Sequence, residues 1–168
     1  MRTVIIRRAS ADDVTAIVQV SLTSASTEEM IGFAAPEWVT YSSPSELKKL
    51  RNRGNRLKDG SEVLVAEKER RIVGFIVFKM ERDCVYIDNI DITKDEQRKG
   101  VGRTLFTQVE NRALTKGCSR IKTDTTENAR GNPWRGYWFW IRMGYEDTRE
   151  RLSTKWNFKT ITLVKNLK

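Results

Sequence analysis

The stretch that decides the fold is Val85-Tyr86-Ile87-Asp88-Asn89-Ile90-Asp91-Ile92, followed by residues 93–96 and then by Gln97-Arg98-Lys99-Gly100-Val101-Gly102. Its first part alternates as a strand does, is apolar on both faces, and is broken toward its end by the polar residues Asp88, Asn89 and Asp91. That pattern predicts a buried strand whose last part exposes polar groups. Beyond Gly100, the residues Val101, Leu105, Phe106, Val109, Ala113 and Leu114 recur at helical spacing until Gly117. Strand, glycine turn and helix are therefore contiguous. The first amides of a helix lack intrahelical acceptors and sit at the positive end of its dipole, and glycine lets a bulky group approach the backbone. The segment reads as an anion cradle. It is not a P-loop, which needs Gly-Lys-Ser/Thr after its spacer, nor a dinucleotide loop, which needs a third glycine beyond Gly102.

Outward from this centre, residues 120–126 alternate as another strand. Asn132 then caps a helix with Pro133 at its first position and Gly144 at its end. On a helical wheel Trp134, Tyr137, Trp138 and Ile141 form one stripe, while Phe139, Trp140 and Met143 cover most of the rest. Only Arg135 and Arg142 make a polar seam, which predicts a helix buried nearly all round. Residues 145–151 and 157–164 predict a closing antiparallel hairpin. On the N-terminal side, residues 3–8 read as a strand, and Ser10 with Asp12 and Asp13 starts a helix carrying Val14, Ile17, Val18 and Leu22. Residues 62–67 and 72–80 pair as a hairpin through a tight turn at 68–71. Between these lie residues 24–45, rich in Ser and Thr, whose Phe33, Trp38 and Tyr41 either line a substrate pocket or cover core. A basic helix over residues 45–56 follows, ended by Asp59-Gly60.

The length of 168 residues fits one domain over 1–168, and 39% hydrophobic with 32% charged residues is the composition of a globule without low-complexity tracts. No apolar run approaches the roughly 18 residues a membrane helix needs, and the short run after Met1 is no signal sequence, so the expected location is cytoplasmic. Cys84 and Cys118 lack CxxC spacing and read as inert thiols, with no metal knuckle. A net charge of +9 favours an anionic ligand, whether nucleic acid, lipid surface or phosphate-rich cofactor. Histidine is absent, which removes Ser-His-Asp triads, Cys-His pairs and imidazole metal sites. Any proton transfer then falls to a carboxylate, Tyr, Lys, Cys or water.

Gln97 to Gly102 resembles the Gln/Arg-x-x-Gly-x-Gly/Ala pyrophosphate loop of the GNAT N-acetyltransferase superfamily. The strand ending Asn-Ile-Asp-Ile before it, the amphipathic helix after it, and a further strand and helix at the family's distance strengthen the likeness. The resemblance follows the whole chain in element order and is motif-specific over residues 87–144. It implies an α/β (α+β) fold, with a mixed, mostly antiparallel, splayed sheet of about seven strands flanked by about four helices. The splay would open where residues 88–92 part from residues 120–126, and acetyl-CoA would occupy it without a metal. Backbone groups near Ile90 and Ile92 would pair with the pantetheine arm as an added strand does. The diphosphate would lie on Gln97, Arg98, Lys99, Gly100, Val101, Gly102, Arg103 and Thr104. Asp91, Asn132 and Trp140 complete the implied cofactor set. Trp140 stands where the family often has a catalytic Tyr, which leaves it as a wall of the pantetheine channel.

The implied reaction is direct attack by a neutral amine on the thioester within a ternary complex. Asp88, nine residues ahead of Gln97, is the first choice for base, acting directly or through water, with Tyr86 beside it. Asp91, Asp124 and Glu127 are further candidates. Tyr137, Tyr145 or water would protonate the leaving thiolate. A cationic chain repels polyamines unless its pocket is locally acidic, so the acceptor reads as a peptide N-terminus, a lysine or a small-molecule amine. Two alternatives stay open: a non-catalytic acetyl-CoA sensor, favoured by Trp140 in place of Tyr, and a basic nucleic-acid-binding module. Neither nucleic acid nor membrane is the expected partner, and a homodimer is compatible with the sequence.

Overall fold

Described at residues 3–24, 60–153 and 158–167, the protein, in a computed structural model, runs β1 (Ile5–Arg8), α1 (Val14–Thr23), β2 (Glu62–Lys68), β3 (Arg71–Met80) and β4 (Cys84–Ile92). It continues α2 (Val101–Thr115), β5 (Arg120–Glu127), α3 (Gly136–Arg142), β6 (Glu146–Ser153) and β7 (Lys159–Asn166). The seven strands form one sheet in the order β1-β2-β3-β4-β5-β7-β6. All neighbours are antiparallel except β4 and β5, which run parallel. This is the mixed, mostly antiparallel sheet that the family resemblance implies, with three α-helices among the described residues. The expected aromatic excursion beyond Ser24 and the basic helix at 45–56 lie outside the described residues.

Local chemistry explains the ends of the elements. The Ser10 amide and hydroxyl both donate to Asp13 Oδ2, at 2.7 and 3.0 Å, which starts a single 3-10 turn ahead of α1. Arg7 donates to both oxygens of the same carboxylate, at 2.7 and 2.8 Å. The turn between β2 and β3 places Glu69 and Arg70 at φ 53° and 63°, the mirror-image turn that suits strand twist, here without Asn-Gly.

Two cores cover the two faces of the sheet. Ile17 and Val20 of α1 pack on Val63, Val65, Phe75 and Val77, whereas α2 buries Leu105, Phe106 and Val109 against Leu64, Ile76, Phe78 and Ile87 on the other face. The stripe predicted for α1 is corrected, because Leu22 is 55% exposed and Val20 is buried instead. Gly74 pairs with Ile92 where β3 runs beside the end of β4, and a Cβ there would stand 2.5 Å from Ile92 Cδ1 and 3.1 Å from the Asp91 carbonyl oxygen. Only glycine permits that approach.

The end of β4 departs from simple alternation. Val77 pairs with Asn89 and Phe78 with Ile87, so Asp88 is the extra residue of a β-bulge. The bulge changes the phase of the strand, and Val85, Ile87, Ile90 and Ile92 all reach the α2 core despite their mixed parity. That is why the strand reads as apolar on both faces. Pairing between β4 and β5 runs from Cys84↔Arg120 to Ile87↔Thr123 and stops there, while β5 continues along β7 to Glu127↔Lys159. The sheet therefore opens at Asp88.

The region of α3 differs from its prediction in two ways. Asn132 and Pro133 do not start the helix: the Asn132 amide donates to Asn128 Oδ1 at 3.1 Å, Pro133 bridges Glu127, and the Trp134 amide donates to the Thr126 carbonyl at 2.7 Å. These bonds extend β5 pairing past the proline and delay the helix to Gly136. Nor is the helix buried all round, since Trp140 alone is buried and Trp138 is 55% exposed. The hairpin of β6 and β7 closes the sheet as expected, two residues later in sequence for β7.

Candidate active site

The glycine turn has the backbone of an anion cradle. Gln97 is extended, Arg98 and Gly100 are left-handed at φ 63° and 89°, and α2 begins at Val101. The Thr104 amide donates to the Gly100 carbonyl at 3.0 Å, whereas among the described residues no amide from Arg98 to Arg103 donates to a backbone carbonyl. Left-handed residues next to a helix start gather such amides into a concave nest. Arg98, Lys99, Arg103 and Thr104 are exposed around it, and Val101, 2% exposed, anchors it in the core. A Cβ at Gly102 would make ordinary contact with the Phe139 ring at 3.4 Å and with Ile92 Cγ1 at 3.7 Å, so α3 packs close to the start of α2 at this point.

Beside the turn lies the opening of the sheet. Ile90 and Ile92 turn their side chains toward the core, and the ladder between β4 and β5 ends at Ile87. Asp88 is half-buried at the bulge, where the opening begins. Tyr86 reaches across the last parallel pairs and donates its hydroxyl to Asp124 Oδ2 at 2.8 Å. Asp91 accepts from Ser21 Oγ at 3.2 Å and Asn89 Nδ2 at 3.1 Å. Burial pushes the Asp91 carboxyl up, opposed by hydrogen bonds from Ser24, Asn89 and Ser21 and by the charge of Arg135.

On the α2 side, Tyr137 donates to Asp147 Oδ2 at 3.3 Å. Arg151 holds that carboxylate with two bonds of 2.9 and 2.8 Å and donates to Glu127 Oε2 at 3.1 Å. Arg151 draws the Asp147 carboxyl below its ordinary range, and burial and Asp147 raise the Tyr137 phenol. Glu127 is thus engaged in an ion pair. Trp140, 5% exposed, packs edge-on against Phe139, Tyr145 and Phe106 at centroid distances of 4.9, 5.0 and 6.1 Å. Tyr145 is buried, its hydroxyl has no hydrogen-bond partner among the described residues, and burial followed by Glu110 pushes its phenol far up. Asn132 is exposed in the turn before α3. Among the described residues no three His, Cys, Asp or Glu side chains gather as a metal site.

Sequence reading brings Tyr86, Asp88, Asp91 and the 97–104 turn together at one opening, and the structure adds Ser21, Arg135 and Phe139 to their surroundings. Arg135 had a signal, as half of the polar seam of an otherwise apolar segment. Phe139 had none, because its packing on Gly102 depends on the crossing of two helices.

A mixed sheet that opens between two parallel strands, with an amide nest at the opening, defines the class of splayed-sheet GNAT folds. A sequence model described as "Acetyltransferase (GNAT) family" matches residues 25–132, and the chain belongs to that family. No curated protein sequence matches the chain. Its structure is similar to that of the PaiA N-acetyltransferase from Thermoplasma acidophilum in complex with coenzyme A, at TM-score 0.78 and 18% identity, covering 98% of this chain and 99% of that one. It is also similar to the ribosomal-protein-S18-alanine N-acetyltransferase from Escherichia coli, at TM-score 0.69 and 14% identity over 98% and 94% of the chains. Ard1 from Thermoplasma volcanium is a third similar structure, at TM-score 0.68 and 16% identity over 98% and 97%.

Proposed function

We propose that this chain transfers an acetyl group from acetyl-CoA to a primary amine. The observation that carries the reading is the coincidence of two features: the sheet opens at Asp88, and in the adjacent turn no amide from Arg98 to Arg103 donates to a backbone carbonyl among the described residues. Both suit the cofactor. The nest and its exposed Arg98, Lys99 and Arg103 fit a diphosphate, and the β4 edge near Ile90 and Ile92 fits the amide-bearing pantetheine arm. Bound acetyl-CoA supplies an activated acetyl thioester. Asn132, in the exposed turn ahead of α3, stays in the proposed cofactor set.

The chain's own residues then divide the work. Asp88 takes a proton from the attacking amine, directly or through water, as the new C–N bond forms and the C–S bond breaks. Tyr86, held by Asp124, borders the acceptor approach. Tyr137 or water returns a proton to the thiolate, giving an amide and free coenzyme A. Tyr145 is set aside as donor, since it lies in the core. The acceptor is a peptide N-terminus, a lysine or a small-molecule amine, and the first of these agrees with the name of the S18-alanine enzyme that the fold resembles. The reduced thiols of Cys84 and Cys118 suit a cytoplasmic location.

Trp140 favours a second reading, an acetyl-CoA sensor, because it fills the core where the family often has a proton-donating Tyr. Thiol release from acetyl-CoA across a panel of peptides and small amines separates the two. Acceptor-dependent release supports the enzyme, whereas tight cofactor binding with no release from any acceptor supports the sensor.

A further inference from the structure

Behind the amide nest, three elements meet at one carbonyl. Ser24 ends α1. Its carbonyl accepts from Gln97 Nε2 at 2.7 Å and from Arg135 Nη2 at 2.5 Å. Gln97 Nε2 also donates to the Ile92 carbonyl at 2.9 Å, and Gln97 Oε1 accepts from Arg135 Nη1 at 3.3 Å. Both amide hydrogens and the oxygen of Gln97 are therefore used inside the protein, and its side chain is a clip instead of a phosphate ligand. The last carbonyls of a helix lack intrahelical donors and carry the negative end of the dipole, so a guanidinium and an amide at Ser24 complete α1 from outside. One turn earlier, Ser21 is tied to Asp91.

The face of the sheet under α1 matters to the chemistry. Phe75 and Val77 lie in the α1 core and pair with Asp91 and Asn89, and Lys79 pairs with Tyr86, so Tyr86, Asn89 and Asp91 share the α1 face. We propose that Gln97 and Arg135 are positioning residues that cap α1 from outside and bind its end to the amide nest. Filling the nest then steadies α1 and the acceptor-side face beneath it. This rests on the reading above that the nest takes the diphosphate of coenzyme A. A ligand that immobilises Gln97 makes opening of the Ser24 contacts rarer, and amides at the end of α1 exchange more slowly with solvent.

Amide hydrogen exchange on the full chain, with and without saturating free coenzyme A, tests it. In the parent, coenzyme A should slow exchange at residues 98–104 and also at residues 21–24, each by about 5-fold or more. Arg135→Met should keep the slowing at 98–104 and reduce that at 21–24 to less than about 2-fold, and Gln97→Met should do the same from the other side of the clip. Arg135→Lys keeps the charge but lacks the planar fork whose two nitrogens meet the Ser24 carbonyl and Gln97 Oε1 separately, so at least half of the α1 response should go; it carries the test if Arg135→Met fails to fold. Slowing at 98–104 with no change or faster exchange at 21–24 in the parent overturns the proposal, as does a full α1 response in Arg135→Met. The second of those parent outcomes means that Arg135 leaves Ser24 for the phosphate. No slowing at 98–104 defeats the cofactor reading itself, and this inference with it.

Discussion

Asp88 owes its position to a bulge that one residue creates. A polar side chain interrupting an apolar strand is visible in the sequence, and so is its place nine residues before the glycine turn. The change of phase is not visible, because it depends on how β3 pairs with Asn89 and Ile87. If Asp88 serves as base or orients the base water, Asp88→Asn should lower turnover about 100-fold with a high-pKa amine while leaving acetyl-CoA affinity in place. Full activity of that variant across the pH range would return Asp88 to a structural role. Trp140 tests the opposite kind of residue. Its indole N–H does not ionise usefully, and its ring sits among Phe106, Phe139 and Tyr145. Trp140→Phe should retain turnover within a few-fold and lose about 1–3 kcal/mol in urea unfolding through the volume it vacates. A drop of several orders of magnitude in turnover, with folding intact, is the result that contradicts this.

Elements were legible where their signals are local and obscure where a long-range bond decides them. The Ser10 cap, the β2–β3 hairpin and the run from β4 to α2 follow from spacing, capping and turn chemistry within a few residues. The start of α3 does not, because Trp134 and Pro133 extend pairing with β5 and override the Asn-Pro signal. The same distinction applies to the glycines: the left-handed Gly100 is favoured by its own backbone, while Gly74 is hemmed in by its neighbours. Gly74 shows this most sharply. Gly74→Ala would press a methyl group on Ile92 and on the Asp91 carbonyl, and the backbone oxygen can retreat only by moving β4. A loss of about 1–3 kcal/mol in denaturant unfolding is expected, with cofactor affinity falling as well because the moved strand borders the opening. Unchanged stability and affinity would show that β4 can shift freely at this point.

At the scale of the molecule, groups whose pKa values shift in opposite directions bound the pH range of stability. Arg7 holds the Asp13 carboxyl low, Lys68 does so for Glu96, and Arg151 for Asp147, in each case mainly through hydrogen bonds that outweigh burial. A depressed carboxyl contributes stability above its unfolded value, near 3.8 for Asp and 4.5 for Glu, and that contribution is lost as pH falls through the folded value. Asp91 acts in reverse. Burial raises it, so its contribution is present when it is protonated and is lost as pH rises through the raised value. At the alkaline end, burial raises Tyr145, Cys84 and Cys118, whose neutral forms the fold favours; their contribution is complete below the unfolded values of 10.0 and 9.0 and fades above them. The chain has no histidine to add a step between these limbs. Stability from urea unfolding should therefore fall below about pH 4 and fall again above about pH 9.5, with Asp91 setting the slope between the two limbs. Asp147→Asn should shrink the acid fall by removing one depressed carboxyl. Tyr145→Phe should shrink the alkaline fall while leaving neutral stability equal or slightly higher, because the hydroxyl it deletes is buried without a partner among the described residues. An alkaline limb of unchanged depth in Tyr145→Phe would assign that limb to the thiols, and a large loss at neutral pH would mean that the Tyr145 hydroxyl is satisfied in solution, most simply by a buried water.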